Sequence, residues 1–481
     1  MTVSQAIEVR RLYLNGKWPE PRDPLDVINP ATGQLIGRVG TVDCRGVAQA
    51  LAAAEEAWPA WRKLSGKRRG EYLSKIADNL ERRAEETART MTLENGKPLA
   101  QSRGEVGMTI DHLRWFAGEA PRAYGRVVPQ QVESKRHLVI RSPVGVVGAI
   151  SPWNFPLVLA VRKVAPALAA GCPVVLKPAS ATPLCALLFA EMVDEAKLPP
   201  GVFQLVVGRS AEIAAEMLEN PICRKITFTG STEVGRHLIR GAADSIKKLS
   251  LELGGHAPVL VFEDADFEQA VQGTLIAKFR NTGQSCVAAS RVYVERSIYE
   301  KFLGALVARA KALKVGNGLD DGVEIGPLIN AAALSQALEQ IQEAVARGAK
   351  ILCGGCRWQG AGAGYFLEPT ILVDVPADAR CMREEPFAPL APVCPFDDEA
   401  EAVRLANATD YGLAAYAFTR DLSRTWRLAE ALEAGTIAIN DPVPATSIGP
   451  FGGLKQSGWG RELGSEGIDA FLETKHVSLG I

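Results

Sequence analysis

A cysteine and a glutamate in short, glycine-bearing segments are the residues of this sequence best suited to covalent chemistry. Cys286 lies in FRNTGQSCVAASR, after a polar loop and before a strand-like run, where a thiol is exposed enough to react. On its own, such a cysteine fits a buried structural thiol better. Glu252 ends a strand-like run in LELGG, whose two glycines let a backbone or ligand come close. Together the two residues indicate a thiolate nucleophile and a general base acting on water.

Three further motifs have residue types that bind anions or oxyanions. Asn154 lies between two prolines in SPWNFP, and an amide on so stiff a loop can donate to a developing oxyanion. FTGSTEVG has the pattern strand, turn, helix start, which places Ser231 and the following N–H groups at an anion site for a pyrophosphate. Lys177 ends a strand in LKPAS and is a candidate ribose or phosphate contact. Each motif alone also fits an ordinary turn.

The elements that must position these residues are those of an α/β protein. From residue 143 onward, short apolar runs alternate with helical segments, which predicts a doubly wound parallel sheet. A second such series begins near Ala257. The 481 residues exceed a single hydrophobic core, so more than one domain is expected. We expect a cofactor-binding domain at 1–122 and 142–253 and a catalytic domain at 254–445.

Two segments fit neither series and are expected to form bridging or oligomerisation elements. Residues 123–141 alternate polar and apolar side chains like a hairpin, and the tail 446–481 ends in a late strand. These strands are expected to pair with each other or with another subunit, which favours a homodimer or homotetramer over a simple surface flap.

Composition excludes several classes of partner. Lys+Arg number 54 and Asp+Glu 55, with no basic stripe, which argues against nucleic acid and anionic membranes. Residues 142–161 are uncharged but contain three prolines, so we expect two buried strands joined by a loop instead of a membrane span. The first residues lack the apolar core of a signal peptide, and the nine irregularly spaced cysteines indicate free thiols. A cytoplasmic protein is expected.

Seven motifs in order, PWNFP, KPAS, FTGS, LELGG, GQSC, EEPF and PFGG, resemble the aldehyde dehydrogenase superfamily across nearly the whole chain. The resemblance implies a Rossmann-like cofactor domain, a catalytic domain carrying the cysteine, and a small oligomerisation hairpin. It implies that Cys286 attacks the aldehyde carbon while the Asn154 amide and the Cys286 N–H hold the oxyanion. Hydride transfer to the nicotinamide would leave a thioester, which water activated by Glu252 would hydrolyse.

The resemblance also implies the cofactor contacts and leaves no role for a metal. The family motif EExFGP reads EEPFAP here, with Ala388 in place of glycine. NAD+-specific members often carry glutamate at position 180, where serine stands here, so NADP+ is expected to be accepted alongside NAD+. The implied contacts are Trp153, Lys177, Ser180, Gly230, Ser231, Leu253, Glu385 and Phe387.

Within the superfamily, the chain resembles the succinate-semialdehyde branch. That resemblance implies that Arg162 and Arg280 bind the far carboxylate of the substrate, a task suited to the planar fork of arginine. Thr446, in the proline-rich loop DPVPATSIGPFGG, falls near the branch's substrate-binding serine. Glutarate and 2-oxoglutarate semialdehydes remain open as substrates. A CoA-acylating relative usually lacks the glutamate, and a catalytically silent protein would need a lost nucleophile or blocked cofactor site.

Two cysteine patterns are expected to be redox-inert. Many members of the branch have a second cysteine two residues after the nucleophile, where this chain has Ala288, so we expect no disulfide with Cys286. The CGGC segment at 353–356 has no second pair at zinc-site spacing and is expected to be a structural turn.

Overall fold

The computed structural model describes residues 8–360 and 362–481. Its first elements are β1 (Val9–Arg10), β2 (Leu25–Ile28), β3 (Leu35–Val39), α1 (Cys44–Trp61), α2 (Gly66–Arg82), α3 (Ala84–Asn95) and α4 (Leu99–Glu119). The three strands form a small sheet in the order β1-β3-β2. Helix α3 ends at Gly96, whose φ of 91° is a left-handed conformation that glycine adopts without strain. The sequence had not predicted this sheet or α4.

A hairpin follows, formed by β4 (Arg126–Val128) and β5 (Lys135–Pro143). The first large sheet then begins. Its elements are β6 (Val146–Ile150), α5 (Val158–Ala170), β7 (Val174–Lys177), α6 (Leu184–Glu195), β8 (Phe203–Leu205), α7 (Ser210–Glu219), β9 (Cys223–Thr229), α8 (Thr232–Ala242) and β10 (Lys248–Glu252). The five strands are parallel in the order β10-β9-β6-β7-β8.

The second large sheet has seven strands, all parallel except at one edge. Its region contains β11 (Ala257–Val261), α9 (Phe267–Phe279), β12 (Ala289–Glu295), α10 (Tyr299–Ala312), α11 (Ala331–Ala346), β13 (Lys350–Cys353), β14 (Thr370–Val373), β15 (Leu390–Phe396), α12 (Glu399–Asn407), β16 (Tyr411–Gly412), β17 (Ala414–Phe418), α13 (Leu422–Ala431) and β18 (Thr436–Ile439). The order is β13-β14-β15-β12-β11-β17-β18, with β13 antiparallel. The predicted doubly wound α/β fold is confirmed.

The last elements return to earlier parts of the chain. They are β19 (Leu454–Lys455), β20 (Gly458–Trp459), α14 (Glu466–Asp469) and β21 (Leu472–Gly480). Strand β20 adds an antiparallel edge to β10, and β19 pairs with β16. Strand β21 pairs along its whole length with β5, so the hairpin and the late strand form one three-stranded sheet.

Each large sheet is buried on both faces, as parallel sheets with helical layers are. Alternate residues of β6 enter different hydrophobic clusters: Val147 and Ala149 join one, and Val146 and Ile150 join the other. Helix α5 is buried over all 13 of its residues. The uncharged segment 142–161 is therefore strand β6, a loop and the first turn of α5, and the expectation of two strands was wrong. In the described part of the chain, no helix is long and apolar enough to cross a membrane.

The order of the strands places a cleft between the two large sheets. In the first sheet, β7 and β8 are added on one side of β6 and β9 and β10 on the other, so the order in which strands are added reverses between β6 and β9. Ligands of such sheets bind outside the carboxyl ends of the strands, at this switch point. The loops 151–157, 178–183, 230–231 and 253–256 leave that edge. Cys286 and Glu385 precede β12 and β15, at the amino edge of the second sheet, and contacts described below join the two edges.

Candidate active site

Hydrogen bonds tie the loop of Asn154 to the loop of Cys286. The Asn154 side-chain Nδ2 donates to the carbonyl of Gln284 at 3.1 Å, and the Asn281 amide donates to the carbonyls of both Asn154 (2.9 Å) and Gln284 (3.1 Å). Asn154 is 3% exposed. Because an amide nitrogen carries two hydrogens, one remains to bind an oxyanion after the bond to Gln284 is made. The structure thus brings these two sequence motifs together.

A left-handed turn presents Cys286. Asn281 and Thr282 have φ values of 51° and 57°, and Gly283 follows at 72°. This strained segment makes the chain reverse between α9 and the nucleophile. A side chain on Gly283 would put its Cβ 2.2 Å from the carbonyl oxygen of Ala388, so glycine is required there for close approach.

Cys286 lies in a pocket that disfavours its charged form. A Cβ on Gly255 would lie 2.0 Å from the Cys286 carbonyl oxygen, so the second glycine of LELGG permits this contact. Burial raises the pKa of the Cys286 thiol to about 12, and the carboxylates of Glu385 and Glu252 act in the same direction. Arg162 opposes them. This environment favours the thiol over the thiolate, so a base that takes the proton would assist attack by the sulfur.

Glu252 lies at the end of β10 and is 4% exposed. One of its carboxylate oxygens, Oε2, is buried without a hydrogen-bond partner among the described residues. Burial raises the pKa of Glu252 well above its usual value, and the neighbouring Glu462 raises it further, while Lys163 and Arg162 lower it. A carboxyl group with a raised pKa and a free oxygen is suited to take a proton from water or from a thiol.

A buried ion pair that the sequence did not predict, Lys163–Glu462, lies beside this base. Lys163 Nζ lies 2.5 Å from Glu462 Oε1 and donates to Thr229 Oγ1 at 2.6 Å. The two side chains are 0% and 6% exposed. Two cations, Arg162 and Lys163, in the otherwise apolar helix α5 were the available signal, since charged residues are seldom fully buried without a partner.

Arg162 and Arg280 are cations without an acidic partner in the described chain. Neither makes a salt bridge, and the Arg162 Nε is buried without a hydrogen-bond acceptor. Arg162 lies over the ring of Phe451 at 4.9 Å, and Arg280 lies near that of Phe155 at 5.6 Å. Burial lowers the pKa of both guanidinium groups. A buried guanidinium with unused donors is a site for an anionic ligand.

Thr446, the third expected substrate contact, is exposed, unlike these arginines. Its side chain is exposed at the surface of the loop before PFGG. The preceding residue, Ala445, is half-buried and packs against the same hydrophobic cluster as Cys286 and Val287. The exposure of Thr446 argues against the predicted contact between its hydroxyl and the substrate.

At the carboxyl end of β7, Lys177 fits the phosphate or ribose of a dinucleotide. It is 4% exposed, and its Nζ donates to Ser210 Oγ at 2.6 Å. Burial lowers the pKa of Lys177 to about 8, and no carboxylate compensates it within the described residues. Ser180 is half-buried, and its hydroxyl donates to the Gly208 carbonyl at 3.4 Å. Without a carboxylate at position 180, the site does not repel a 2′-phosphate.

The start of α8 has the geometry of an anion site, as the sequence predicts. Ser231 caps this helix, and its Oγ accepts the Val234 N–H at 3.3 Å. Gly230 donates its N–H to the Glu252 carbonyl at 3.0 Å, which fixes the turn beside the base. A Cβ on Gly235 would come within 2.6 Å of Leu253, so this glycine lets α8 lie against the end of β10. First-turn N–H groups at such a helix start bind phosphate oxygens.

Glu385 and two aromatic rings border the other end of this site. Glu385 Oε1 accepts the Gly255 N–H at 3.2 Å, and burial raises the pKa of Glu385 to about 8. Its carboxylate can accept hydrogen bonds from ribose hydroxyls. Trp153 and Phe387 meet edge to face, with ring centroids 5.5 Å apart. Phe387 has a φ of 47°, whereas Ala388 is not left-handed, so alanine in place of the usual glycine causes no backbone strain. The residues present therefore fit a nicotinamide dinucleotide.

The remaining cysteines do not form a second chemical site. Cys353 is buried at the end of β13, Cys356 is exposed, and Gly354 and Gly355 between them have φ values of 68° and 87°. All nine cysteines are free thiols. Within residues 8–360 and 362–481, no group of three or more potential ligands could hold a metal ion.

Comparison with known proteins gives a consistent picture over the full chain. A model of the aldehyde dehydrogenase family matches residues 18–477. The chain is similar to a glutarate-semialdehyde dehydrogenase of Pseudomonas aeruginosa, with 47% identity over 98% of each chain. It is similar to the NADP+-dependent succinate-semialdehyde dehydrogenase of Escherichia coli, with 46% identity over 98% of each chain. A solved NADP-dependent enzyme of E. coli matches with a TM-score of 0.96 at 46% identity, covering 98% of each chain.

Proposed function

The chain belongs to the aldehyde dehydrogenase family, and from this premise we propose that it oxidises an aldehyde bearing a far carboxylate, first of all succinate semialdehyde, with NAD(P)+. The observation that carries the substrate class is the pair Arg162 and Arg280, both without an acidic partner in the described chain. A substrate carboxylate would supply the missing counter-charge. The names of the relatives above support the same class.

Catalysis begins at Cys286 with loss of the thiol proton. The sulfur forms a bond to the aldehyde carbon, the carboxylate of Glu252 takes the thiol proton, and Glu252 passes that proton to solvent before hydrolysis begins. Charge that develops on the aldehyde oxygen is stabilised by the free hydrogen of the Asn154 amide and by the Cys286 N–H. When bound, NAD(P)+ would accept a hydride from the carbon bonded to the Cys286 sulfur. Loss of this hydride would convert the adduct into a thioester.

Hydrolysis of that thioester depends on Glu252. Its unpartnered Oε2 accepts a proton from a water molecule, and the oxygen of that water bonds to the thioester carbon. The Cys286 sulfur then leaves and regains a proton, and the product is a dicarboxylic acid. Free dicarboxylate as product, with no requirement for coenzyme A, follows from this role of Glu252.

The substrate class is tested with matched aldehydes. Initial rates with succinate semialdehyde and with butanal, an uncharged aldehyde of equal carbon number, are compared for each cofactor. We expect kcat/KM for the acid to exceed that for butanal by about 100-fold, since charge-assisted bonds contribute roughly 1.5–3 kcal/mol each. Arg280→Met should remove most of this preference while leaving the rate with butanal within a few-fold. Equal rates for the two aldehydes in the unmodified protein would contradict the proposal.

Glutarate semialdehyde is the second candidate. The observation in its favour is the similarity to the glutarate-semialdehyde dehydrogenase named above, at 47% identity. Its additional methylene places the carboxylate farther from the aldehyde carbon. We expect Arg162 and Arg280 to bind this carboxylate as well. A comparison of kcat/KM for the two semialdehydes decides between them.

We also propose that the protein is a homo-oligomer assembled through the sheet of β4, β5 and β21. The register places Val127, Leu138 and Val477 side by side on one face. Val127 is 74% exposed, and Ile140 and Leu479 on the same face are 44% and 43% exposed. Arg136 and Lys475 lie on this face beside Leu479 and Ile140, and its exposed apolar side chains favour burial against a second copy. Free thiols at all nine cysteines support a reducing, cytoplasmic location.

A further inference from the structure

A buried ion pair that the proposed reaction does not use lies directly behind the oxyanion loop. Lys97 Nζ is 2.6 Å from Glu105 Oε2, and both side chains are 0% exposed. Lys97 follows α3, and Glu105 lies in α4. Removing two charges from water is costly unless further hydrogen bonds satisfy them, so each additional partner of this pair is informative.

Both members of the pair also form hydrogen bonds with the backbone of residues 154–158. Lys97 Nζ donates to the Asn154 carbonyl at 2.7 Å. Glu105 Oε1 accepts the backbone N–H groups of Leu157 at 3.0 Å and Val158 at 3.2 Å, at the start of α5. The ion pair thus holds residues 154–158 at both ends, and α5 has no side-chain cap of its own.

The same lysine reaches the substrate side of the site. Lys97 Nζ lies 4.2 Å from the centroid of the Phe155 ring, and the Arg280 guanidinium lies 5.6 Å from that ring. Asn281 shares the Asn154 carbonyl with Lys97 and continues into the loop of Cys286. The Lys97 ammonium group therefore contacts the backbone of Asn154 directly. It is linked to Arg280 through the Phe155 ring and to the loop of Cys286 through the Asn154 carbonyl.

We propose that the Lys97–Glu105 pair is a positioning device that fixes the backbone of Asn154, so that its side-chain amide faces the aldehyde oxygen on Cys286. The inference rests on the proposed function, since it takes Asn154 as the oxyanion donor. Lys97 and Glu105 are positioning residues that do not touch substrate. A loop held by two charged groups keeps the amide aligned without reorganisation during the reaction, which is the condition for strong oxyanion stabilisation.

The test is a mutant cycle on kcat/KM for succinate semialdehyde at saturating NADP+. Its four forms are the unmodified protein, Asn154→Ala, the pair variant Lys97→Met/Glu105→Gln, and the triple variant. Replacing both members avoids an unpaired buried charge, and glutamine keeps an acceptor for the N–H groups at the start of α5. Asn154→Ala should lower kcat/KM by about 100- to 1,000-fold. The pair variant should lower it by about 10- to 100-fold, the cost of a small misplacement.

The cycle separates positioning from general structural support. If the pair acts through Asn154, the triple variant has the kcat/KM of Asn154→Ala. A triple variant whose loss is the product of the two separate losses overturns the proposal, and so does a pair variant with unchanged kcat/KM. No loss in Asn154→Ala overturns the oxyanion role in the proposed function and, with it, this inference. Binding of NADP+ and alkylation of Cys286 by iodoacetamide should be unchanged in the pair variant.

Arg69→Met is the matched control. Arg69 is a buried cation, 8% exposed, that donates from Nε to the Ala169 carbonyl at 2.8 Å. It therefore holds the far end of α5, about 20 Å from the loop at 1.5 Å per residue. We expect a lowered melting temperature with kcat/KM within two-fold of the unmodified protein. A loss of kcat/KM equal to that of the pair variant would mean that loosening α5 anywhere has this effect, and would overturn the proposal.

Discussion

At the scale of the residue, the site is marked by charged groups that lack ordinary partners. Arg162 and Lys177 are buried cations without a carboxylate in the described chain, and Glu252 has an unpartnered oxygen. Burial of a charge costs free energy, so such groups persist where a ligand or a reaction uses them. In the proposed function, Arg162 would bind the carboxylate of the substrate, Lys177 would bind the cofactor, and Glu252 would act as the base.

The pH dependence of Cys286 alkylation tests the electrostatics of the nucleophile. Because burial raises the pKa of this thiol to about 12, the thiolate fraction grows tenfold per pH unit throughout the accessible range. Labelling by iodoacetamide in the absence of cofactor should therefore rise steadily from pH 7 to pH 10 without a plateau. Cys286→Ser supplies the background from the exposed thiols of Cys44 and Cys356. A plateau below pH 9 would contradict this environment.

Residue identities were largely predictable where a motif marked them, and unpredictable where the partner is distant. Asn154, Glu252 and Cys286 belong to short segments that also fit turns, and only the combined order of the motifs made them candidate catalytic residues. Glu462 is separated from Lys163 by 299 positions, and nothing local in the sequence indicates that pairing. The exposure of Thr446 could not be predicted, because one residue decides which side chain of an irregular loop faces inward.

At the scale of the element, the edges of the two large sheets assemble the site. The loop after β6 contacts the loops before β12 and β15, and the loop between β10 and β11 contacts Glu385 before β15. The strands that form the two large sheets were predicted because short apolar or alternating runs mark them, as in VVGAI of β6 and KLSLE of β10. The strands β1, β19 and β20 have two residues each, too few to show any periodicity. Helix α5 was misjudged at its start because a fully buried helix has no polar face to reveal its period.

The last segment of the chain affects the base through Glu462, and a pH profile measures that effect. The negative charge of Glu462 raises the pKa of Glu252, so Glu462→Gln should lower it. The acid limb of kcat against pH should then move to lower pH by roughly one unit. Exposed Glu466→Gln, four residues later, should leave the profile unchanged. An acid limb that stays in place or moves to higher pH would contradict the coupling.

At the scale of the whole molecule, the proposed assembly surface and the active site lie on different sheets. The small sheet joins residues near position 135 to those near position 475. Its pairing was one of two arrangements expected from the sequence, the other being with another subunit. The structure shows it within one chain, which leaves the face free for a second copy.

Charges on that face should separate the subunits. Val127→Lys with Ile140→Lys places two cations on the exposed apolar surface, where burial against a partner would cost several kcal/mol. We expect a lower mass by light scattering, compared with an oligomer for the unmodified protein. Lysines at Val234 and Ile246, which are exposed on the first large sheet's side of the molecule, are the control and should not change the mass. A monomeric unmodified protein would refute the assembly.

The position of β21 after every other element has a consequence for synthesis. During translation, β4 and β5 leave the ribosome more than 300 residues before the strand that completes their sheet. Glu462 and the edge strand β20 are made in the same final stretch. A nascent chain that already contains Cys286 therefore has neither its finished assembly surface nor its full set of buried charges. Subunit association and activity should both begin only after translation of this last stretch.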